Sequence, residues 1–266
     1  MGTNVKYLLN IFKKSLGPTP PGRRRYLDFG AQELYGGSEF DYQEFIQYCR
    51  GQTSLSPADL TTCHDFHVRS LVDLDAGNSL RRARCSELFE AVGWEYHSID
   101  LYESTIRADL NVLLIDQLDG KFHNYFDVVA NFGTTEHVFN QFLCFWNIHV
   151  ATKVGGFMVH VLPSSGFLYH CLFKYEPKFF LLLAQQNNYR ILHAGLFEQG
   201  KSSIDDRHRT WAGYSEVSKL KVPDLLVEFV LQKQEGGGFN ACYDAVGTDL
   251  AVKHTFDADC TSLRDA

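Results

Sequence analysis

The 266 residues contain seven cysteines but no C-x-x-C pair. An odd count without ligand spacing excludes a disulfide framework and a zinc finger. It fits buried thiols in a reducing compartment, so a cytoplasmic location is expected. Also absent is any apolar run near the roughly 20 residues that cross a bilayer, so no membrane partner is expected. Cationic excess is missing too. The formal net charge is -7, and Arg23-Arg24-Arg25 is the one basic run, which argues against a nucleic-acid backbone as partner. No secretory signal is legible, because lysines break the apolar stripe Val5, Leu8, Leu9, Ile11, Phe12, Leu16 of the first residues. That stripe predicts an amphipathic helix within residues 1–22, packed on the rest. With no internal repeat and no boundary signal, 1–266 is expected to be a single α/β domain with a full core. Nothing in the pattern fixes an oligomeric state.

Aromatics are plentiful, with 21 Phe and 13 Tyr. The rest of the chain is organised around Phe126 to Pro163, FDVVANFGTTEHVFNQFLCFWNIHVATKVGGFMVHVLP. Phe126, Val128, Val129 and Ala130 form an apolar run too short for a helix, ending in the polar cluster NFGTTEH. From Val138 to Lys153 helical spacing places Phe142, Phe145, Trp146, Ile148 and His149 on one face. Lys153 is expected in the last turn and Gly155-Gly156 as the helix stop. Phe157 to Leu162 is the next apolar run. Two wholly apolar strands joined by a helix predict a parallel β-α-β unit, with ligands beyond the carboxyl ends of the strands.

The other segments can be taken in order. Residues 17–22 read as a turn, and Arg25 to Glu33 as a strand running into a glycine turn. Residues 34–70 read as an insertion with a helix over Phe40 to Arg50. It is expected to cover the site, with Tyr35, Phe40, Tyr42 and Phe45 as an apolar lid. Residues 70–79 suggest a short strand and turn. Ser79 should then cap a helix from Leu80 to Val92, closed by Gly93. Glu95 to Leu101 is a strand, Lys178 to Asn187 a helix, and Tyr189 to Phe197 and Leu225 to Gln232 two more strands. The polar stretch 201–216 is an excursion, and the tail 236–266 is loosely patterned.

Three motifs, LDFGAQ at Leu27–Gln32, Asp100 at a strand end, and NFGTTEHVFNQ followed by IHVATKVGGFMVHVLP, give a family resemblance. The chain from about Arg25 to Gln234 resembles class I S-adenosylmethionine-dependent methyltransferases. Within them it is similar to a bacterial small-molecule or sugar-associated subgroup with the patterns N-F-G-T-[ST]-E-H-V-x-N-Q and L-[DE]-x-G-x-Q. The resemblance implies a doubly wound, mostly parallel seven-stranded sheet. It also implies an antiparallel last strand, a lid insertion after the first strand, and S-adenosylmethionine as cofactor. Carried over, Asp28, Phe29, Gly30, Ala31 and Gln32 meet the methionine part of the cofactor. Gln32 stands where most families have a second glycine. Asp100 and Leu101 fall at the ribose, Asp109 and Leu110 at the adenine, and Asn131, Phe132 and Gly133 beside the transferred methyl. A rival first motif exists in LVDLDAGNSL, with Asp73 and Gly77, and both stay open.

For the chemistry, His137 is the candidate base, since imidazole titrates near neutrality, with Glu136 orienting it. His160, Tyr169 and His170 are candidate substrate contacts. No metal is expected. The leading function is methyl transfer to an oxygen or nitrogen of a small molecule or sugar-like metabolite. A nicotinamide oxidoreductase would need G-x-G-x-x-G after the first strand, which neither glycine turn supplies. A non-catalytic cofactor-binding protein is the other alternative.

Overall fold

The computed structural model describes residues 2–17, 22–72, 81–167, 170–198 and 224–241. Asp73, Gly77, Ser79, Tyr169, the 201–216 excursion and the end of the tail lie outside them.

Strand β6, Phe126–Phe132, is buried at every residue, as its unbroken apolar run requires for a strand covered on both faces. It lies in the middle of a seven-stranded sheet. In chain order the strands of that sheet are β2 (Arg25–Phe29), β4 (Glu95–Asp100), β5 (Ile106–Arg107), β6, β7 (Thr152–Ser165), β8 (Tyr189–Glu198) and β9 (Leu225–Lys233). Their spatial order is β5-β4-β2-β6-β7-β9-β8. Pairing is parallel from β5 to β7, and β9 runs antiparallel to both of its neighbours. The strand order steps outward in both directions from the β2–β6 pair, which marks a doubly wound fold with its switch point there. This is the fold class the sequence implied. A separate two-stranded pairing joins β1, Gly2–Thr3, to β3, Glu33–Leu34.

Helices cover both faces. On one face α1 (Val5–Leu16), α2 (Glu39–Arg50), α3 (Pro57–Ser70) and α4 (Cys85–Ala91) pack with Tyr26, Val128, Ala130 and Val159. On the other, α5 (Leu114–Gln117), α6 (Gln141–Ala151) and α7 (Pro177–Gln186) pack with Leu27, Phe29, Val129 and Met158. The alternation of side chains along a strand divides each strand between these two cores.

Residues 34–70 hold two helices, not one. Each begins with a reciprocal cap, Ser38 with Asp41 and Ser56 with Asp59. Tyr42 and Phe45 are wholly buried under them, whereas Tyr35 and Phe40 are exposed.

Three boundaries differ from expectation. Helix α4 starts at Cys85, because Arg81–Arg84 stay extended. Ala83 accepts from Leu34 N, and Cys85 N donates to Gln32 O at 3.0 Å, which ties this stretch to the first glycine turn. Ser70 ends α3 instead of opening a strand. Helix α6 stops at Ala151, so Lys153 lies in β7, where its ammonium meets Asp127. Gly155 and Gly156 lie inside β7, at a register shift opposite Phe126 and Val128. A Cβ on Gly156 would stand 3.0 Å from Phe126 O. The pair therefore forms a bulge, not a helix stop. On α6 itself Phe145, Ile148 and His149 are buried, but Phe142 is 39% exposed and pairs edge-on with Trp146.

The cation at the end of α6 comes from far along the chain. Lys233 of β9, 1% exposed, donates to His149 O at 2.7 Å, Thr152 O at 2.9 Å and Asn124 Oδ1 at 2.8 Å. Burial pushes its ammonium down to about 8. Lys233→Met should leave these buried acceptors without a donor and cost on the order of 1–3 kcal/mol of unfolding free energy, read from urea denaturation.

Candidate active site

The register of the parallel strands sets the rim. Phe29 of β2 sits between Ile99 of β4 and Asn131 of β6. One residue further on, Gly30, Asp100 and Phe132 therefore stand side by side at the carboxyl edge, at the switch point.

Gly30 turns with φ +83°, a conformation that costs a side chain energy and glycine little. Its amide donates to Ile99 O at 2.8 Å. The Thr134 hydroxyl, from the turn after β6, donates to Phe29 O at 2.6 Å. It comes so near that a Cβ on Gly30 would lie 2.2 Å from it. Gly133 also has positive φ, +76°, and turns the chain off β6 toward Thr134.

The side chains of the first motif diverge. Asp28 is wholly buried on the α4 side, where Tyr96 OH donates to its Oδ2 at 2.8 Å and Oδ1 has no partner. Burial pushes its carboxyl up to about 7. Gln32, 2% exposed, donates from Nε2 to Gly30 O at 3.2 Å and leaves Oε1 unpaired. Phe29 is core, and Ala31 is half-buried.

On the β4 side Asp100 is half-buried and accepts from Tyr102 N at 3.3 Å, while Leu101 is exposed. Asp109 Oδ1 accepts from Asn111 N and Nδ2 at 2.8 and 2.9 Å. Gln117 brackets the Asp109 backbone from both sides, and Leu110 is core.

After β6 the turn is held by side chains that the sequence pattern contained but did not assign. Asn131 donates to Thr135 Oγ1 at 2.9 Å. Tyr175 OH lies 3.0 Å from that oxygen and donates to Gln141 Oε1 at 2.5 Å. Gln141 Nε2 in turn donates to Thr135 O at 2.8 Å. Thr134, Thr135 and Gln141 were visible in NFGTTEHVFNQ. Tyr175 carried no signal, because nothing in a sequence brings residue 175 to residue 135.

Residues Thr135–His137 form a single 3-10 turn. Glu136 is buried with neither carboxylate oxygen hydrogen-bonded, and burial pushes its carboxyl up to about 7. His137 is exposed, with Nε2 3.6 Å from Glu136 Oε1. Partial burial, and then the neighbouring His170, lower its pKa. The His170 ring stands 5.1 Å from the His137 ring. His160 is not at the rim. It is 1% exposed, packed against Phe145 and Phe180, with Nδ1 3.3 Å from Asn131 Nδ2. Burial pushes it down to about 3, so it is neutral. Its place in β7 turns it inward, and it supports Asn131 where a substrate contact was expected.

No protein-family model matches the chain, and no curated protein matches it. Solved structures do. A SAM-dependent methyltransferase from Archaeoglobus fulgidus is 13% identical, with 86% of this chain and 94% of that chain covered, at a TM-score of 0.44. An arsenic(III) S-adenosylmethionine methyltransferase from Chlamydomonas reinhardtii is 15% identical, with 82% and 67% covered and a TM-score of 0.38. A geranyl diphosphate methyltransferase in complex with SAM is 10% identical, with 86% and 85% covered and a TM-score of 0.37. The likeness is one of architecture, which here rests on the strand order and directions of this chain itself.

Asp28 gives this rim a pH signature. Its folded pKa of about 7 lies above the ordinary 3.8, so between those values the folded chain holds a proton that the unfolded chain has lost. Stability from this group is therefore full below 3.8 and falls as pH rises to about 7. Asp28→Asn should flatten the loss between pH 5 and 8 by on the order of 2 kcal/mol in paired urea denaturations. Gly30→Ala, forced to positive φ against Thr134, should cost about 1–3 kcal/mol in the same assay.

Proposed function

We propose that the chain binds S-adenosylmethionine at the β2–β4–β6 rim and transfers its methyl group to an oxygen or nitrogen of a small molecule or sugar-like metabolite. The observation that carries this is the adjacency of Gly30, Asp100 and the Asn131–Gly133 turn, the positions that the sequence resemblance assigns to one cofactor. Other features suit such a ligand. Gln32 Oε1 and Asp28 Oδ1 are buried acceptors without donors beside the glycine turn. Gly30 leaves the backbone bare where a ligand must come close. A half-buried carboxylate, Asp100, ends β4 where ribose hydroxyls can donate to it.

When bound, the cofactor supplies a methyl group on a sulfonium, an electrophile ready for in-line displacement. The chain's part is to align and to move a proton. Asp100 holds the ribose, and the Asp109–Leu110 backbone borders the adenine. Asn131 to Gly133, fixed by Thr135 and Thr134, set the floor beside the methyl. Holding two reactants in line supplies about 7–11 kcal/mol of the barrier. His137, neutral near pH 7 because its pKa is lowered, accepts the acceptor's proton; Glu136 stands 3.6 Å from its Nε2 without a hydrogen bond. The five described cysteines are free thiols, four of them buried. No described helix is long and apolar enough to cross a membrane.

The test is calorimetric titration with S-adenosylhomocysteine. Binding is expected, and Asp100→Ala should weaken it about tenfold or more. No heat and no thermal shift would point to a non-catalytic chain, and binding of a nicotinamide in its place would point to an oxidoreductase. With an acceptor found by screening small hydroxyl and amine compounds, His137→Ala should lower kcat by roughly 10²–10⁴ while S-adenosylhomocysteine affinity holds.

A further inference from the structure

We propose that Glu136, His137 and His170 form a site for one divalent cation of the zinc class. One ligand atom from each lies within 4.8 Å of the other two. The decisive observation is Glu136. Its side chain is 1% exposed, and neither oxygen has a hydrogen-bond partner. A carboxylate removed from water without donors is costly, and proteins normally pair it or place it on a metal. Here the nearest cationic candidate, His137 Nε2, stands 3.6 Å off and makes no hydrogen bond to it.

The backbone holds the three residues together. The Glu136 carbonyl accepts from Leu172 N at 3.0 Å and from Phe173 N at 3.1 Å. That fastens the segment after β7 to the 3-10 turn after β6 and keeps His170 beside His137. His137 N donates to Thr134 O at 3.1 Å, so the site is anchored to the same threonine that closes over Gly30. The two imidazoles are exposed, while the carboxylate is buried.

The donor set selects the ion. Two imidazoles and one carboxylate suit a borderline cation such as Zn²⁺, and three protein ligands leave a position open, as in catalytic zinc sites. Mg²⁺ and Ca²⁺ prefer all-oxygen shells. Bonds of about 2.0–2.2 Å require the imidazoles to close by roughly 1 Å, within the reach of side-chain rotation. The site exists or not independently of methyl transfer. Its place beside the acceptor rests on that proposal, and there it favours acceptors whose oxygen can take the open position. With the ion bound, His137 is a ligand and no longer the proton acceptor.

The experiment is titration of the metal-stripped full chain with Zn²⁺ by calorimetry, and with Co²⁺ by visible absorption, both without cofactor. One equivalent of Zn²⁺ is expected, with Co²⁺ bands of a four- or five-coordinate ion. Glu136→Gln, His137→Ala and His170→Ala should each weaken Zn²⁺ binding at least about tenfold, and Cys171→Ser should leave it unchanged. Thermal melting of the metal-free variants checks folding. If Glu136→Gln does not fold, the two exposed histidines decide. No stoichiometric uptake, uptake indifferent to both histidine substitutions, or loss in Cys171→Ser would overturn the site. Zinc uptake without S-adenosylhomocysteine binding would keep the site and remove the methyl-transfer proposal, and the converse result would do the reverse.

Discussion

The hydrogen bond from the Thr134 hydroxyl to Phe29 O joins two strand ends that the chain separates by 105 residues. It works only because residue 30 has no Cβ, since the hydroxyl occupies the space a side chain would take. With β2 and the turn after β6 fastened in this way, the position of Gly133 follows. So does that of Thr135, which Asn131 and Tyr175 hold from below, and then that of Glu136 and His137. A site made of loops is thus held almost as firmly as one made of strands. Such preorganisation is what alignment of reactants demands.

Two buried carboxylates sit near this rim, Asp28 with one oxygen outside any hydrogen bond and Glu136 with both. Both are pushed up to about 7 by burial. In its ionised form each costs the fold stability, because a buried charge loses hydration that its few partners do not replace. Strained or unpaired groups of this kind gather where function needs them, and the stability they cost comes from the two aromatic cores. Phe12, Phe45, Phe89 and Trp94 pack ring to ring on one face, and Phe145, Phe179 and Phe180 on the other.

What the sequence disclosed follows from how local each cause is. Strand β6 was legible because a strand buried on both faces must be apolar throughout. The rim residues Gly30, Asp100 and Gly133 were legible through motif resemblance and the direction rule for parallel sheets. Boundaries set by distant partners were hidden. Helix α4 begins late because Gln32 and Leu34 hold the residues before it extended. The two helices of 34–70 went half unseen because their caps use Asp41 and Asp59 where a longer acid is the usual sign. The inward turn of His160 is a matter of strand parity, which an all-apolar strand does not reveal. Tyr175 and Lys233 reach their partners only through the tertiary fold.

Lys233 has a consequence for the order of events at the ribosome. The helix that follows the Glu136–His137 turn gets its terminal cation from β9, the strand that inserts between β7 and β8. Every parallel strand can emerge and pair before that residue has been translated. Until it arrives, the His149 carbonyl of α6 lacks its lysine donor, and β7 and β8 have no strand between them. Nascent chains therefore close the sheet edge opposite the rim in a late step, when one lysine threads home.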